Sequence, residues 1–380
     1  MNTFGMKVKA RCFMEYDSVA DLVDIEFAEL ARPILHIGGG SNLLFTDDFK
    51  GTVLHSGIDF IEILDEGEEV LVSVGAGVLF DDFCAWAAKE GLWGIENLSY
   101  IPGEVGASAV QNIGAYGVEV KDVIRTVCCY DTLEEEFVRF RVEDCGYGYR
   151  DSIFKRKDIK GRYIVTHVVF ALSREPKPRL DYGHLKESVE DKSMTPELIR
   201  KTIIRIRKEK LPEPSVMGSA GSFFMNPVVT MEHFQKIEAA AKAEYGQDYN
   251  VPHYILSSDP SVISSDPSVI SSDPSVISSD PSVISSDPSV ISSDPSVISS
   301  EAEGRVEKSS VKIPAAWMIE QCGWKGKRSG GAAVYDKQPL VIVNFTGDAY
   351  PEEIIGLEKR IIASVKSRFG VELHPEVEHI

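Results

Sequence analysis

The strand-like run PILHI leads directly into Gly38, Gly39, Gly40, Ser41 and Asn42. Glycine lets the backbone approach a ligand closely and adopt positive φ angles. Consecutive backbone N–H groups in such a turn can form a nest for an anion, to which serine and asparagine add polar side chains. The pattern fits a diphosphate site. A plain tight turn is equally compatible, because the segment is neither a G-x-G-x-x-G nor a Walker sequence.

A second glycine-rich segment, residues 101–117, has the sequence IPGEVGASAVQNIGAYG. We interpret it as a loop whose small residues let a large planar cofactor lie against the main chain. The amides of Gln111 and Asn112 could hydrogen-bond the edge of a heteroaromatic ring. The two segments together predict a cofactor with a diphosphate and a ring system, such as FAD. Because neither segment contains His or Cys, we expect the FAD to be bound non-covalently.

The elements that must position these segments follow from hydrophobic periodicity and from capping residues. Apolar runs predict strands at 33–40, within 51–77, and at 123–130, 135–142, 163–172 and 340–345. Amphipathic patterns predict helices at 81–91, from Pro196 (capped by Thr195) to about Lys208, and near 231–243, 314–322 and 351–366. Strands and helices do not alternate strictly, so we predict a mixed α+β class rather than a Rossmann domain.

The bulk composition limits the classes of function. Of the 380 residues, 43% are hydrophobic and 26% are charged, as in soluble globular proteins. The net charge of −19 argues against nucleic acid as a partner, which would need clustered Lys and Arg. We see neither a membrane-spanning run nor a secretory signal, so we expect a cytoplasmic protein without membrane insertion. The six cysteines have no zinc-binding spacing, so we predict reduced thiols and no metal.

One segment stands apart from the rest of the chain. The heptapeptide SSDPSVI is repeated six times without change from Ser257 to Ile298. A proline every seven residues rules out a coiled coil, and Ser-Asp-Pro is typical of turns. A β-solenoid would need more core residues than the Val and Ile of each unit. We therefore predict a mobile surface insertion without a catalytic role.

Five motifs occur in order along the chain: IGGGSNLL (37–44), IPGEVGASAVQNIGAYG (101–117), GYRDSIFK (148–155), SAGSFFMNP (219–227) and LHPEV (373–377). Together they resemble the UDP-N-acetylenolpyruvoylglucosamine reductase family, type I, over the whole chain except the repeat. The resemblance implies a vanillyl-alcohol-oxidase-type (PCMH) FAD fold. Its expected parts are two flavin-binding subdomains at 1–57 and 58–209, and an α+β substrate-binding domain at 210–369, with 370–380 returning to the active site.

The resemblance also implies which residues bind the ligands. The cofactor-binding residues that it implies are Ile37, Gly38, Gly39, Gly40, Ser41, Asn42, Ile101, Pro102, Gly103, Gly106, Ala107, Ser108, Gln111, Asn112, Gly114, Gly117 and Ile164. The substrate-binding residues are Tyr149, Tyr182, Lys210 and Asn226. The segment LDYGHL (180–185) looks like the tyrosine loop of the type I branch, which would close over the nucleotide substrate.

The implied reaction converts UDP-N-acetylglucosamine enolpyruvate into UDP-N-acetylmuramate during peptidoglycan precursor synthesis. NADPH gives a hydride to FAD, flavin N5 passes it to C3 of the enolpyruvyl group, and C2 receives a proton. The family implies that Arg150 and Glu376 stabilise the enolate and that Ser222 donates the proton. We expect NADPH and the UDP-sugar as the partners of a monomer.

Each of these side chains also has an ordinary structural interpretation. Arg150 could pair with the neighbouring Asp151, Ser222 could be a turn or cap residue, and Glu376 could be a solvated charge near the end of the chain. Lys210 could be a surface lysine. Two other classes are compatible with a flavin fold: an alcohol or sugar oxidase, and a non-catalytic flavin-binding protein. Loops without His or Cys disfavour covalent-flavin oxidases, and the presence of all three implied catalytic residues disfavours the non-catalytic class.

Overall fold

A computed structural model describes residues 2–181, 185–189, 194–256 and 310–380. Tyr182 and the repeat at 257–298 lie outside the described residues. The described chain combines antiparallel and parallel sheets with helices, which confirms the predicted α+β class.

The small parallel sheet contains three strands, with the central one paired on both sides. In spatial order they are Ala10–Tyr16, Phe49–Ser56 and Ile34–Ile37. A short helix, Val19–Val23, follows the first strand and is capped by Ser18. Because all three strands run in one direction, their carboxyl ends meet at one edge, and the glycine turn that begins at Gly38 leaves the sheet from that edge.

The large sheet is antiparallel and carries most of the core of the N-terminal half. Its strands, in spatial order, are Glu136–Arg141, Ile124–Asp131, Tyr163–Leu172, Val70–Gly75 and Ile61–Glu66. The helix Phe80–Lys89 packs on it through Phe83, whose ring centroid lies 4.7 Å from that of Phe170. Burial of such aromatic faces is a main source of stability in a sheet–helix layer.

The described residues of the C-terminal half have their own core, built from two small sheets and three helices. One sheet orders its strands Gly218–Ser219, Ile342–Asn344, Ala332–Val334 and Arg328–Ser329, and the other Val228–Thr230, Ser310–Lys312 and Tyr254–Leu256. The helices are Met231–Tyr245, Ala315–Gln321 and Pro351–Phe369. The helix Pro196–Lys210 precedes this half, with the predicted Thr195 cap and first-turn proline, and Leu185–Ser188 forms a single turn before it.

The predicted strands and helices are confirmed, with bounds that shift by a few residues. The helix predicted at 81–91, for example, spans Phe80–Lys89. The interpretation of 101–117 as one loop is wrong. It contains a helix, Val105–Gln111, and a hairpin of Gly114–Ala115 with Val118–Glu119. Its small residues serve packing, because a β-carbon on Gly106 would lie 2.8 Å from the Ala76 β-carbon.

The six cysteines are unpaired, and Cys128 and Cys129 lie next to each other on a strand of the large sheet, both buried. Burial raises the pKa of both thiols, so neither is activated as a nucleophile. Within the described ranges, no helix has both the length and the apolar character needed to cross a membrane.

Candidate active site

The two glycine segments pack directly against each other. A β-carbon placed on Gly38 would lie 3.0 Å from the β-carbon of Ala107, so only glycine lets the segments approach this closely. The Ser41 hydroxyl donates a hydrogen bond of 3.1 Å to the carbonyl oxygen of Pro102. Gly103 has a φ of +115°, which a residue with a side chain rarely adopts. The prediction that these segments form one site is supported by this contact.

The residues present fit an FAD molecule in two respects. In the part of the chain that the structure describes, the backbone N–H groups of Gly39 and Gly40 have no hydrogen-bond acceptor, so they are available to a phosphate. The side-chain nitrogen of Gln111 is buried and makes no hydrogen bond of standard geometry with the described residues. The Glu376 carboxylate lies close enough to interact with this amide, and an NH₂ group has two hydrogens, so it keeps donor capacity that a ligand group can meet.

Several implied cofactor residues also make contacts within the protein framework. The Asn112 amide nitrogen donates to Glu119 Oε2 (3.0 Å) and to the Gly148 carbonyl oxygen (2.7 Å), which uses both of its hydrogens. Both amide hydrogens are used within the protein, and the contact of Asn112 with a ring edge stays a prediction. The Ser108 hydroxyl bonds the Val105 carbonyl within its own helix. The Ile164 side chain lies in the hydrophobic cluster beneath the small parallel sheet.

The two glycine segments, 38–42 and 101–117, together form the glycine cradle. The other implied cofactor residues lie within it or beside it. Ile37 is the buried last residue of its strand, Ile101 packs on the core of the large sheet, and Gly117 turns the hairpin with a φ of +77°. The Gly114 carbonyl oxygen accepts a hydrogen bond of 2.6 Å from Arg150 Nη2. A β-carbon on Gly114 would lie only 2.8 Å from Arg150 Nη1, so this glycine makes room for the guanidinium.

Arg150 is held in a fixed orientation at the end of this cradle. Its backbone φ is +55°, in the left-handed region that non-glycine residues rarely adopt. Nε donates to Glu376 Oε1 over 3.1 Å, and the two terminal nitrogens donate to the carbonyl oxygens of Asn112 and Gly114. The ion pair predicted as its ordinary alternative, with Asp151, is replaced by one with Glu376. Backbone strain of this kind is typical of functional sites.

Glu376 is not a solvated charge. Its side chain is only 14% exposed, and the C-terminal segment that carries it is tied to three parts of the site. The Asn42 amide nitrogen donates to the Glu376 carbonyl oxygen (3.0 Å), and the Glu376 N–H donates to Phe223 (2.9 Å). The strand Glu378–His379 then pairs in parallel with Leu43–Leu44. The C-terminal segment therefore contacts three parts of the site: the glycine turn at 38–42, the GSFF segment at 221–224, and Arg150.

Burial raises the pKa of Glu376 above its ordinary value, because the charged carboxylate loses its hydration. The positive charge of Arg150 and the nearby Lys155 oppose this shift without cancelling it. A carboxyl group in this position holds a proton to higher pH than an exposed glutamate. It can therefore exchange a proton, or share one, close to the Arg150 guanidinium.

Ser222 lies in the same segment that holds the C-terminal strand. Gly221, with a φ of +68°, turns the chain before it, and the next residue, Phe223, is fully buried and bonded to Glu376. The Met225 N–H donates to the His374 carbonyl oxygen (2.9 Å) on the other side. Ser222 is half-buried. The backbone thus brings Ser222 alongside the segment of Glu376, although the two are 154 positions apart in the sequence.

Tyr149 is surrounded by positive charge. Arg150 lies over its ring at 5.1 Å, and the Lys312 ammonium lies 4.2 Å from the ring centroid. Lys312 is 8% exposed, which is unusual for lysine and gives the site a second buried cation. Sequence reasoning did not identify it, because a single Lys after the insertion carries no signal of its own.

The remaining implied substrate residues are spread more widely. The Asn226 side-chain oxygen accepts the Ala315 N–H (2.9 Å) and so caps a helix, which leaves only its NH₂ group to donate to a substrate. Lys210 is the exposed last residue of the helix Pro196–Lys210. Tyr182 lies outside the described residues.

Three further residues near the cradle escaped the sequence reasoning. Arg207 Nε donates to the Tyr100 carbonyl oxygen (3.1 Å), just before the IPG turn, and clamps a residue whose φ is +62°. His55 and Glu104 form a buried pair beneath the glycine turn. Each of these residues is a single charged residue in a helix, strand or loop. No sequence pattern predicts that such a residue is buried beside the cofactor site.

Comparison with known proteins decides the family. The family model for the C-terminal domain of UDP-N-acetylenolpyruvoylglucosamine reductase matches residues 213–380, and that for an FAD binding domain matches residues 11–133. A UDP-N-acetylenolpyruvoylglucosamine reductase from Bacteroides fragilis is 45% identical over 382 positions, covering 100% of this chain and 97% of its own. One from Porphyromonas gingivalis is 40% identical, covering 100% and 96%. This chain belongs to the UDP-N-acetylenolpyruvoylglucosamine reductase family.

As a member of the reductase family, the protein is a flavin-dependent oxidoreductase that uses FAD. A crystal structure of the reductase from Thermus caldophilus is 20% identical, with a TM-score of 0.59, and covers 100% of this chain and 95% of its own. This likeness supports the predicted FAD-binding fold. The glycine cradle and the Arg150–Glu376 pair therefore belong to a flavin enzyme of the reductase family.

Proposed function

We propose that the protein reduces UDP-N-acetylglucosamine enolpyruvate to UDP-N-acetylmuramate with NADPH as the reductant. The observation that carries the proposal is the Arg150–Glu376 pair, which is buried at the end of the glycine cradle in a chain of the reductase family. The two glycine segments would hold FAD, which when bound would supply hydride transfer from NADPH to C3 of the enolpyruvyl group.

Arg150 would bind the enolpyruvyl carboxylate and stabilise the enolate that develops on it. A guanidinium is always charged and offers its donors in a rigid fork. In Arg150, three of these donors already bond to Glu376, Asn112 and Gly114. Those bonds fix the fork before the substrate arrives, so little reorganisation is needed during the reaction. Lys312, across the Tyr149 ring, adds a second positive charge on the same side.

Ser222 would donate the proton to C2. A serine hydroxyl is a weak acid, so it must be activated by a strongly basic enolate and by nearby groups that replace its proton. The raised pKa of Glu376, caused by burial, makes that carboxyl a suitable source of the replacement proton. The backbone bond between Phe223 and Glu376 supports this assignment, because it keeps the two segments in register.

As further substrate contacts we propose Tyr149, Tyr182, which would close over the nucleotide, and Lys210 and Asn226, which would hold the phosphates or the carboxylate. Tyr149 contacts Lys312, and Asn226 accepts a hydrogen bond from Ala315, three residues further along the chain than Lys312. Tyr149 also lies next to Arg150 in the sequence. The division into 1–57, 58–209 and 210–369 also stays a proposal. It is supported by the sheets, because the small parallel, large antiparallel and two C-terminal sheets fall into these ranges in turn.

The proposed function is tested with the purified protein. We expect it to be yellow, to oxidise NADPH only when the UDP-linked enolpyruvyl sugar is present, and to release UDP-N-acetylmuramate, identified by mass. UDP-N-acetylglucosamine, which lacks the enolpyruvyl group, is the matched control and should give no turnover. A colourless protein, or one whose NADPH oxidation ignores the enolpyruvyl sugar, would contradict the proposal.

The segment 257–309 is expected to be dispensable for this activity. The strands on either side of it pair directly, with Leu256 opposite Ser310 and Tyr254 opposite Lys312. A two-residue Asn-Gly turn joins antiparallel strands in this register. Replacing 257–309 by Asn-Gly should therefore leave the FAD content, the thermal midpoint and kcat unchanged. Deletion of the repeat alone (257–298) is the control. A lower kcat in both proteins would show that the segment supports the substrate-binding region.

A further inference from the structure

A chain of three ionisable side chains runs beneath the glycine turn. His55 lies on the central strand of the small parallel sheet, where its Nδ1 is 2.6 Å from Glu15 Oε2 and its Nε2 is 3.0 Å from Glu104 Oε1. Glu104 is the E of the IPGE sequence. The side chains of His55 and Glu104 are 10% and 7% exposed, whereas that of Glu15 is 49% exposed. The chain therefore leads from solvent to the buried Glu104.

The Glu104 carboxylate lies directly against the glycine turn. A β-carbon on Gly38 would be 3.2 Å from Glu104 Oε2, and one on Gly39 would be 3.6 Å from Oε1. This is an unexpected place for a buried negative charge, because the turn offers its N–H groups to an anion. An unpaired carboxylate here would repel a phosphate, and the interaction would be strong in a poorly solvated position.

Protonation of His55 provides the compensation. Burial alone would lower the pKa of His55, but the hydrogen bonds and charges of Glu104 and Glu15 outweigh burial and raise it. Burial raises the pKa of Glu104, although His55 opposes the shift. Protonation of either group makes the region beneath the turn less negative.

The other titratable groups that face the pair stay neutral. His36, on the neighbouring strand, has its pKa lowered to about 4 by burial and by His55. Its Nε2 lies 2.7 Å from the Tyr16 hydroxyl, whose pKa is raised by burial. The charge beneath the turn is therefore set by Glu15, His55 and Glu104.

We propose that Glu104, held by His55, is a further positioning residue of the cofactor site, and that loss of a proton from this pair weakens FAD binding. The inference rests on the proposed function in one respect, that the glycine turn holds the FAD diphosphate. An anion at the turn binds more tightly when the pair is protonated, so affinity must fall as the pH rises through the range in which His55 loses its proton.

The experiment measures FAD release from the holoenzyme on dilution, by recovery of flavin fluorescence, between pH 6.5 and 8.5. The dissociation constant should rise by about threefold to tenfold per pH unit in the titrating range, the upper limit being that for one linked proton. Thermal unfolding at each pH confirms that the protein stays folded.

Two variants separate a charge effect from a structural one. Glu104→Gln keeps a hydrogen-bond acceptor for His55 but removes one of the two carboxylates that raise the pKa of His55. The fall in affinity should therefore be smaller and lie at lower pH than in the wild type, and at pH 8.5 the variant should bind FAD no more weakly than the wild type. His55→Asn leaves Glu104 without a cation and should bind FAD weakly at every pH. Glu62→Gln, which removes an exposed carboxylate on the large sheet, should keep the wild-type slope.

Each outcome decides the proposal. A wild-type affinity that does not change with pH, or a Glu104→Gln protein that keeps the wild-type slope, would overturn the inference and leave the proposed function intact. If the His55→Asn protein does not fold, the pH dependence of the FAD dissociation constant of Glu104→Gln still tests the proposal. Failure of the wild type to retain FAD at any pH would overturn the proposed function together with the inference.

Discussion

The Arg150→Lys protein is expected to lose about 10²- to 10³-fold in kcat/KM for the enolpyruvyl substrate, the range typical of removing one preorganised oxyanion donor. Lysine keeps the charge but cannot form the three divergent bonds to Glu376, Asn112 and Gly114. Rapid-reaction kinetics should show normal reduction of the bound flavin by NADPH, and slow reoxidation by the substrate.

Arg156→Lys is the matched control for this change. Arg156 forms an exposed ion pair with Asp158 near the same segment, and such pairs contribute little. The control should have wild-type kinetics in both half-reactions. Equal losses in the Arg150→Lys and Arg156→Lys proteins, or a loss confined to reduction by NADPH, would contradict the proposed role of Arg150 in stabilising the enolate.

The Ser222→Ala protein is expected to lose about 10²- to 10⁴-fold in the second half-reaction, as for removal of a general acid. The change removes only a hydroxyl from a half-buried turn, so the fold and the FAD content should be unchanged. Stopped-flow absorbance at the flavin band measures the two half-reactions separately. Reduction by NADPH should keep its wild-type rate, and reoxidation by the UDP-linked enolpyruvyl sugar should be nearly abolished.

Ser215→Ala provides the control, because Ser215 is an exposed serine on the segment that leads to the same region. It should behave as the wild type. If Ser222→Ala slowed both half-reactions equally, the hydroxyl would serve the structure of the cradle and another group would have to donate the proton.

Most of the secondary structure could be predicted from the sequence, because the apolar periodicity and the caps were locally consistent. Thr195 with Pro196, for example, marks a helix start that the structure reproduces. The segment 101–117 could not be predicted in this way. Its Gly, Ala and Ser residues indicate an open loop, but they are small because the helix Val105–Gln111 packs tightly on Ala76 and on the Gly38 turn.

The site was only partly predictable. That the two glycine segments serve one cofactor was predicted from their composition, whereas their direct packing was not. The ion pair of Arg150 with Glu376 spans 226 positions, and no local pattern states that the chain end returns beneath Asn42 and Phe223. The sequence suggested that the Asn112 amide contacts a ligand. In the fold this amide is buried beside Glu119 and donates a hydrogen bond to its carboxylate. His55 and Glu104 carry no signal until the fold brings them together.

The central claim is that one bound flavin accepts electrons from NADPH and returns them to the enolpyruvyl sugar at the Arg150 site. Anaerobic titration of the yellow holoenzyme, first with NADPH and then with the UDP-linked substrate, tests it most directly. We predict that NADPH bleaches the flavin absorbance stoichiometrically, and that the substrate restores it in proportion to the UDP-N-acetylmuramate formed. A flavin that NADPH bleaches but the enolpyruvyl sugar leaves reduced would contradict the account.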